Sequence, residues 1–227
     1  MDKGMRILVI DDEPQIRKLL KVSLGAHGYE IEEAATGAEG ISRAATFKPD
    51  FLIIDLGLPD MDGKKVVQQI REWSQTPIIV LTARDQEQEK IEALDAGADD
   101  YVTKPFGMGE LMARMRVSLR RAASSENDPI LTCGELIIDL VARRVTVSGR
   151  EIKLTPTEYE LIKILAQHRG RVLTHKQLLK AVWGSTYNED THYIRVYIGQ
   201  LRRKIEENPT RPRYIITESG VGYRLMC

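Results

Sequence analysis

The chain has 227 residues, which is enough for two domains of ordinary size, each with its own core. Its formal charge is zero, yet residues 1–123 carry 17 basic and 21 acidic side chains, a net −4, while residues 124–227 carry 16 and 12, a net +4. Apolar runs such as residues 7–10 and 78–81 are far shorter than a membrane span, and the first residues lead into no signal-peptide core, so composition argues against a membrane or exported protein.

Two cysteines, Cys133 and Cys227, stand in no Cys-x-x-Cys or Cys/His pattern. We therefore expect neither a disulfide framework nor a zinc site, and we expect a cytoplasmic protein.

The first half of the chain alternates apolar runs with helical spacings. Residues 7–10, 51–54 and 78–81 are uniformly apolar, as is typical of strands buried on both faces of a parallel sheet. Two lesser strands are predicted at 29–34 and 101–103, and helices between the strands. The alternation predicts an α/β fold, a (βα)5 doubly wound domain over residues 1–123.

The second half begins after a short polar stretch. Residues 124–129, Ser-Ser-Glu-Asn-Asp-Pro, predict a linker. Residues 130–154 carry strand-like segments with a turn at Ser148-Gly149, which predict a small antiparallel sheet.

Three helices and a hairpin follow. Capping-box sequences predict that two of the helices begin after Thr155 and Thr174, and apolar spacing predicts a third from about Glu189 to Glu206. A hairpin is predicted from Tyr214 to Met226. Together these elements predict a winged helix-turn-helix domain over residues 130–227.

Reactive side chains cluster at the carboxyl ends of the predicted strands. They are Asp11 and Asp12 after the first strand, Asp55 after the third, Thr82 after the fourth and Lys104 after the fifth. Because ligands bind at this edge of an open α/β sheet, we expect these residues to converge on one pocket. Three adjacent carboxylates repel one another, and Mg2+ would neutralise them, with Asp12 and Asp55 as direct ligands.

Such a site can accept a phosphoryl group. Lys104 would offset the charge of the phosphoryl oxygens, Thr82 would donate a hydrogen bond, and Asp55 would become an acyl phosphate. Taken singly, each residue also fits a purely structural role, such as a helix cap, a turn residue or a solvated charge. Their occurrence together at four strand ends favours the phosphoacceptor interpretation.

These motifs resemble the receiver domains of two-component signalling. The resemblance rests on Asp11-Asp12, on Asp55 with Leu58-Pro59 and Asp62-Gly63, on Thr82-Ala83 and on Lys104-Pro105-Phe106. It implies that Asp55 takes phosphate from a sensor histidine kinase, and that Asp11, Asp12, Asp55 and the backbone carbonyl of Gly57 hold Mg2+.

The same resemblance assigns further roles. Thr82 and Tyr101 match the switch pair, Lys104 matches the phosphate-binding lysine, and Pro105 is expected to be cis. Gly57 and Arg84 match positions that tune dephosphorylation. The protein is then a phosphoacceptor that loses its phosphate slowly, and not an enzyme.

The third helix of the second half is a candidate DNA reader. Helical spacing turns Ile194, Ile198, Leu201 and Ile205 inward. It turns the other candidates outward or to the flanks: His192, Arg195, Val196, Gly199, Gln200, Arg202 and Arg203. A solvated amphipathic helix would have the same pattern, but the second helix of a helix-turn-helix enters a major groove.

These candidates divide by role. Gln200 and Arg203 are predicted to read bases, and Arg195 and Arg202 to contact phosphates, although relatives carry base contacts at the position of Arg202. Thr217, in the hairpin, is a further predicted contact.

Residues 130–227 resemble the winged-helix effector of OmpR/PhoB-type regulators. The likeness rests on residues 154–159, 177–179, 182–184 and 220–224. It implies that Trp183-Gly184 opens a loop that can touch RNA polymerase, and that the hairpin is the wing. Ser219 stands where many relatives carry an arginine, which leaves the wing contacts open.

A closer resemblance is to regulators of the Kdp potassium-uptake operon. It rests on residues 55–60, 104–111 and 216–223. It implies a transcription regulator of such an operon.

Phosphorylation is expected to favour a homodimer through the fourth helix, fifth strand and fifth helix. The resemblance to OmpR/PhoB relatives gives the charged residues of this surface and an apolar centre: Lys90, Ile91, Leu94, Asp99, Asp100, Glu110, Ala113, Arg114 and Arg121.

Two alternatives stay open on sequence, and a third is disfavoured. The chain could regulate another operon, or could be a phospho-switch acting on protein partners without DNA. A phosphatase of the dehalogenase type would want a second aspartate two residues after Asp55, where this chain has Gly57.

Overall fold

The computed structural model describes residues 4–83, 87–123, 129–184 and 191–226, and for residues 83, 121–123 and 191 it describes the backbone alone. The chain divides into two compact units between Ala122 and Ala123. Of the predicted linker, residues 124–128 lie outside the described residues. No described helix is long and apolar enough to cross a membrane, and the expected cytoplasmic location stays a prediction.

The first unit is built on a parallel sheet of order β2-β1-β3-β4-β5. Its strands are β1 (Arg6–Ile10), β2 (Glu30–Ala34), β3 (Phe51–Asp55), β4 (Ile78–Ala83) and β5 (Asp100–Lys104). Its helices are α1 (Pro14–Gly25), α2 (Gly37–Phe47), α3 (Gly63–Arg71), α4 (Glu87–Asp95) and α5 (Met108–Ala123). The order of strands and helices confirms the predicted (βα)5 doubly wound fold.

The central strand β3 is buried at all five positions, which explains why its sequence is apolar on both faces. On one face, Phe51 and Ile53 pack with Leu20 of α1 and Leu111 of α5. A strand buried on both faces can carry polar groups only at its ends, and that places the reactive side chains at the sheet edge.

The second unit opens with a four-stranded antiparallel sheet of β6 (Ile130–Cys133), β7 (Leu136–Asp139), β8 (Arg144–Val147) and β9 (Arg150–Glu151). Ser148 and Gly149 form the predicted turn, with positive φ at both positions. Cys133 is disulfide-bonded, which the cysteine pattern of the sequence did not indicate. Cys227, the other cysteine, lies outside the described residues.

Three helices and a second sheet complete the unit. The helices are α6 (Pro156–Gln167), α7 (His175–Trp183) and α8 (Thr191–Ile205); β10 (Leu173–Thr174), β11 (Ile215–Glu218) and β12 (Gly222–Leu225) form a sheet of order β10-β12-β11. Thr155 and Thr174 both close capping boxes, which fix where α6 and α7 begin. The sheet, the three helices and the β11–β12 hairpin are the predicted winged helix.

Candidate functional site

The predicted carboxylates converge at the carboxyl edge of the parallel sheet. Asp11, Asp12 and Asp55 each offer an oxygen, and these oxygens lie within 4.8 Å of one another. Asp11 is fully buried and Asp55 nearly so, whereas Asp12 is exposed. The three are therefore grouped with one open side, toward solvent.

Lys104 reaches this group from the end of β5. Its Nζ lies 3.0 Å from Asp11 Oδ2, 2.9 Å from Asp55 Oδ1 and 3.0 Å from Glu13 Oε1. Burial would lower the pKa of Lys104, but hydrogen bonds to Asp55, Glu13 and Asp11 outweigh it and raise that pKa. The lysine therefore stays protonated and serves as the positive charge of the site.

One lysine does not balance the carboxylates. Burial raises the pKa of Asp11, Lys104 and the Glu13 N–H oppose that rise, and the charge of Asp55 adds to it. The donor set is made entirely of hard oxygens with surplus negative charge, which fits Mg2+. Gly57 lies close by, since a methyl group at its Cα would be 3.4 Å from Asp55 Oδ2.

Glu13 was not predicted from the sequence. It is the N-cap of α1, its N–H donates to Asp11 Oδ1 at 2.8 Å, and its carboxylate takes one hydrogen bond from Lys104. The sequence feature that could have indicated its role is its position directly after Asp11-Asp12 and before Pro14. Glu13 competes with the other carboxylates for the single lysine.

Thr82 and Tyr101, the predicted switch pair, lie on neighbouring strands. Thr82 is buried, and its hydroxyl donates to Glu89 Oε2 of α4 at 3.4 Å. Tyr101 is 8% exposed, with the charged ends of Lys90 and Arg114 at 5.4 and 5.9 Å from its ring centre. The Lys104-Pro105 peptide is cis, as expected. Arg84 lies outside the described residues.

Part of the predicted dimer surface is engaged inside the unit. Leu94, Asp99 and Asp100 are buried. Asp99 pairs with Arg71 at 2.7 Å and Asp100 with Arg114 at 3.0 Å. The chain thus supplies internal partners for two charges that are predicted to cross an interface, and the interface itself stays a prediction.

The rest of that surface reaches solvent. Glu110 and Ala113 are exposed, and Lys90 and Ile91 are half-buried. The side chain of Arg121 lies outside the described residues.

On α8, the predicted inward residues are buried: Ile194, Ile198, Leu201 and Ile205 are at most 1% exposed. Among the predicted outward residues, His192, Arg195, Val196 and Arg203 are exposed, and Gly199 and Gln200 are half-buried. The helix contains no acidic residue. Its outer face is therefore open and positively charged, as contact with a polyanion requires.

Arg202, a predicted DNA contact, is hydrogen-bonded within its own unit. Its guanidinium donates to the Ile215 carbonyl at 3.0 and 2.5 Å and to Thr217 Oγ1 at 2.8 Å. Burial lowers its pKa. Arg202 thus ties α8 to the first strand of the hairpin, and it holds Thr217, which is exposed and was itself predicted to contact DNA.

Comparison with known proteins agrees with both halves. Residues 7–116 match the model of the response regulator receiver domain, and residues 149–225 match that of the C-terminal domain of transcriptional regulatory proteins.

Full-length relatives extend that agreement. The chain is 49% identical over 221 residues to the KDP operon transcriptional regulatory protein KdpE of Escherichia coli, covering 97% of this chain and 98% of that protein. It is 49% identical over 220 residues to the transcriptional regulatory protein KdpE of Mycobacterium tuberculosis, covering 96% and 97%. The crystal structure of DrrB, a Thermotoga maritima OmpR/PhoB homolog, matches with a TM-score of 0.50 at 30% identity, covering 99% of this chain and 100% of that one.

Proposed function

The chain belongs to the two-component response regulators of the OmpR/PhoB type, and from this membership we propose that phosphorylation of Asp55 controls its binding to promoter DNA. In this proposal residues 1–123 are the receiver, 124–129 the linker and 130–227 the DNA-binding domain. The convergence of Lys104 and three aspartates at one sheet edge carries the proposal.

Asp55 is the proposed acceptor because its carboxylate touches Lys104 and still reaches solvent. The phosphoryl group would leave a phosphohistidine nitrogen of the sensor kinase as an Asp55 oxygen bonds to phosphorus. Asp11, Asp12, Asp55 and the Gly57 carbonyl would hold Mg2+, which offsets charge on the phosphoryl oxygens. Lys104 would contact the same oxygens, and Thr82 would exchange its bond to Glu89 for one to the phosphoryl group.

The resemblance to receiver domains leads us to propose further that the acyl phosphate is lost slowly. The protein would then act in signalling and not in turnover.

Labelling from acetyl phosphate tests the acceptor. Wild-type protein with Mg2+ should take up label, and hydroxylamine should remove that label because it cleaves acyl phosphates. Asp55→Asn should take up none. Asp95→Asn, an exposed aspartate on α4, is the control and should label normally. Undiminished labelling of Asp55→Asn, or full wild-type labelling in EDTA, contradicts the proposal.

Phosphorylation is proposed to favour a homodimer through α4, β5 and α5. Lys90 and Glu110 reach solvent there with opposite charge, while Asp99 and Asp100 have internal partners. Each surface pair is worth about 0–1 kcal/mol, so it sets register more than affinity. In sedimentation of the phosphorylated protein, Lys90→Glu and Glu110→Lys should each weaken the dimer and the double variant should restore it. Unaltered association in both single variants contradicts this surface.

The regulated gene is proposed from the relatives. One KdpE relative is named for the KDP operon, and with the potassium-uptake resemblance this suggests a potassium-uptake operon; another operon of the same class is the alternative. Binding to the DNA upstream of that operon, against an unrelated promoter, distinguishes them. Contact of the loop after Trp183-Gly184 with RNA polymerase is also proposed, although residues 185–190 lie outside the described residues.

A further inference from the structure

Gly40 of α2 and Gly199 of α8 both lie more than one residue from either end of their helices, and they differ in what surrounds them. A methyl group at Gly40 of α2 would be 2.3 Å from Ile10 Cδ1, so close packing requires glycine there. A methyl group at Gly199 of α8 would meet nothing within 4 Å beyond its own helix. Gly199 also has no positive φ, so the described fold gives no reason for a residue that weakens a helix relative to alanine.

The position of Gly199 indicates where the reason lies. It is on the outer face of α8, one turn after Val196, which is 43% exposed. Val196 lies almost directly opposite the buried stripe of Ile194, Ile198 and Leu201. Most of the residues around it on that face are polar or charged.

We propose that Gly199 and Val196 form an apolar notch that receives the C5-methyl group of a thymine in the major groove. Without a side chain at 199 the helix backbone can come close to the base edge, and Val196 supplies the apolar wall. Among the four bases only thymine presents a methyl group in the major groove. This rests on the proposed DNA-binding function and adds one specified base to it.

Gly199→Ala should raise the stability of the second unit and at the same time lower its affinity for DNA. Gly199→Ala should raise the Tm of the second unit by about 2–6 °C, since alanine favours the helix and the site has space. The same change should lower affinity for a duplex selected from random DNA by the wild-type protein by at least about fivefold, the cost of a mismatch. Gly25→Ala, also at an open helix position, is the control and should leave DNA affinity unchanged.

The DNA can be altered to match. The thymines of the selected duplex are replaced by deoxyuridine one at a time, and each replacement removes one methyl group. At one position the replacement should lower the affinity of wild-type protein about fourfold. The affinity of Val196→Ala and of Gly199→Ala should not change with that replacement, because the first variant loses the wall of the notch and the second fills the notch.

Fluorescence anisotropy with the full chain decides the outcome. A Gly199→Ala protein that binds the selected duplex as tightly as wild type, or a wild-type protein indifferent to deoxyuridine at every position, overturns the notch. If wild-type protein does not separate selected from random DNA at all, the proposed DNA-binding function itself fails, and that result is distinct from the other two.

Discussion

In the first unit, the ammonium of Lys104 lies within 3.0 Å of three carboxylates. In the second unit, the exposed side chains of Arg195 and Arg203 on α8 make no hydrogen bond or ion pair to any described residue. The lysine is thus paired internally at the first site, whereas the two arginines of the second site are left for a partner. At the first site the reactive side chains contact one another. At the second site the charged side chains are exposed, and their role depends on the partner that binds there. Mutations should therefore alter stability mainly in the first unit and binding mainly in the second.

The largest expected effect is at Lys104. Lys104→Met leaves buried carboxylates without their cation, so the free energy of unfolding of the first unit should fall by about 2–4 kcal/mol in EDTA. Mg2+ should restore part of the loss, since it neutralises the same groups.

Lys64 provides a matched control. Its side chain is also 20% exposed, but its partners Asp62 and Glu92 are 41% and 44% exposed. Lys64→Met should cost less than about 1 kcal/mol. Denaturant unfolding followed by Trp73 fluorescence, in a Trp183→Phe background, compares the two variants. Equal losses would mean that burial of the partners does not matter.

On α8 the expected effects are on DNA binding. Gln200→Ala and Arg203→Ala should each lower affinity for the selected duplex by about 1–3 kcal/mol and affinity for random DNA much less. Arg195→Ala should weaken binding to both duplexes and flatten the dependence on salt. Titrations across salt concentrations measure this. A uniform loss for all three variants on both duplexes removes the distinction between base readers and phosphate contacts.

The smallest effect concerns Glu158, a buried acid of the second unit. Burial tends to raise its pKa, but the Lys204 ammonium and the Thr155 N–H bond the carboxylate and hold that pKa below its usual value. A lowered folded-state pKa stabilises the fold above the unfolded-state value of 4.5, and the contribution is lost as pH falls through the folded-state pKa.

Glu158→Gln should therefore cost about 1–2 kcal/mol at pH 7 and flatten the decline in stability below pH 4.5. Trp183 fluorescence during unfolding, in a Trp73→Phe background, reports it. An unchanged decline in the variant would assign the acid sensitivity to other groups.

Convergence of the aspartates with Lys104 could be predicted from sequence, because strands buried on both faces admit polar side chains only at their ends, and parallel strands share one edge. The inward face of α8 followed in the same way from helical spacing. The contacts of Arg202 with β11, the bond from Lys104 to Glu13 and the burial of Asp99 could not. Each depends on side-chain hydrogen bonds between separate elements of the fold. Such bonds cannot be predicted from the periodic spacing of apolar residues.

If phosphorylation of Asp55 controls DNA binding by the second unit, the affinity for DNA should differ with and without phosphorylation. Wild-type protein treated with acetyl phosphate and Mg2+ should bind a duplex carrying two half-sites about 10 base pairs apart at least about tenfold more tightly than untreated protein. Asp55→Asn should show no difference between the two treatments. Equal affinity of treated and untreated wild-type protein, with labelling of Asp55 verified, would rule out control of DNA binding by phosphorylation.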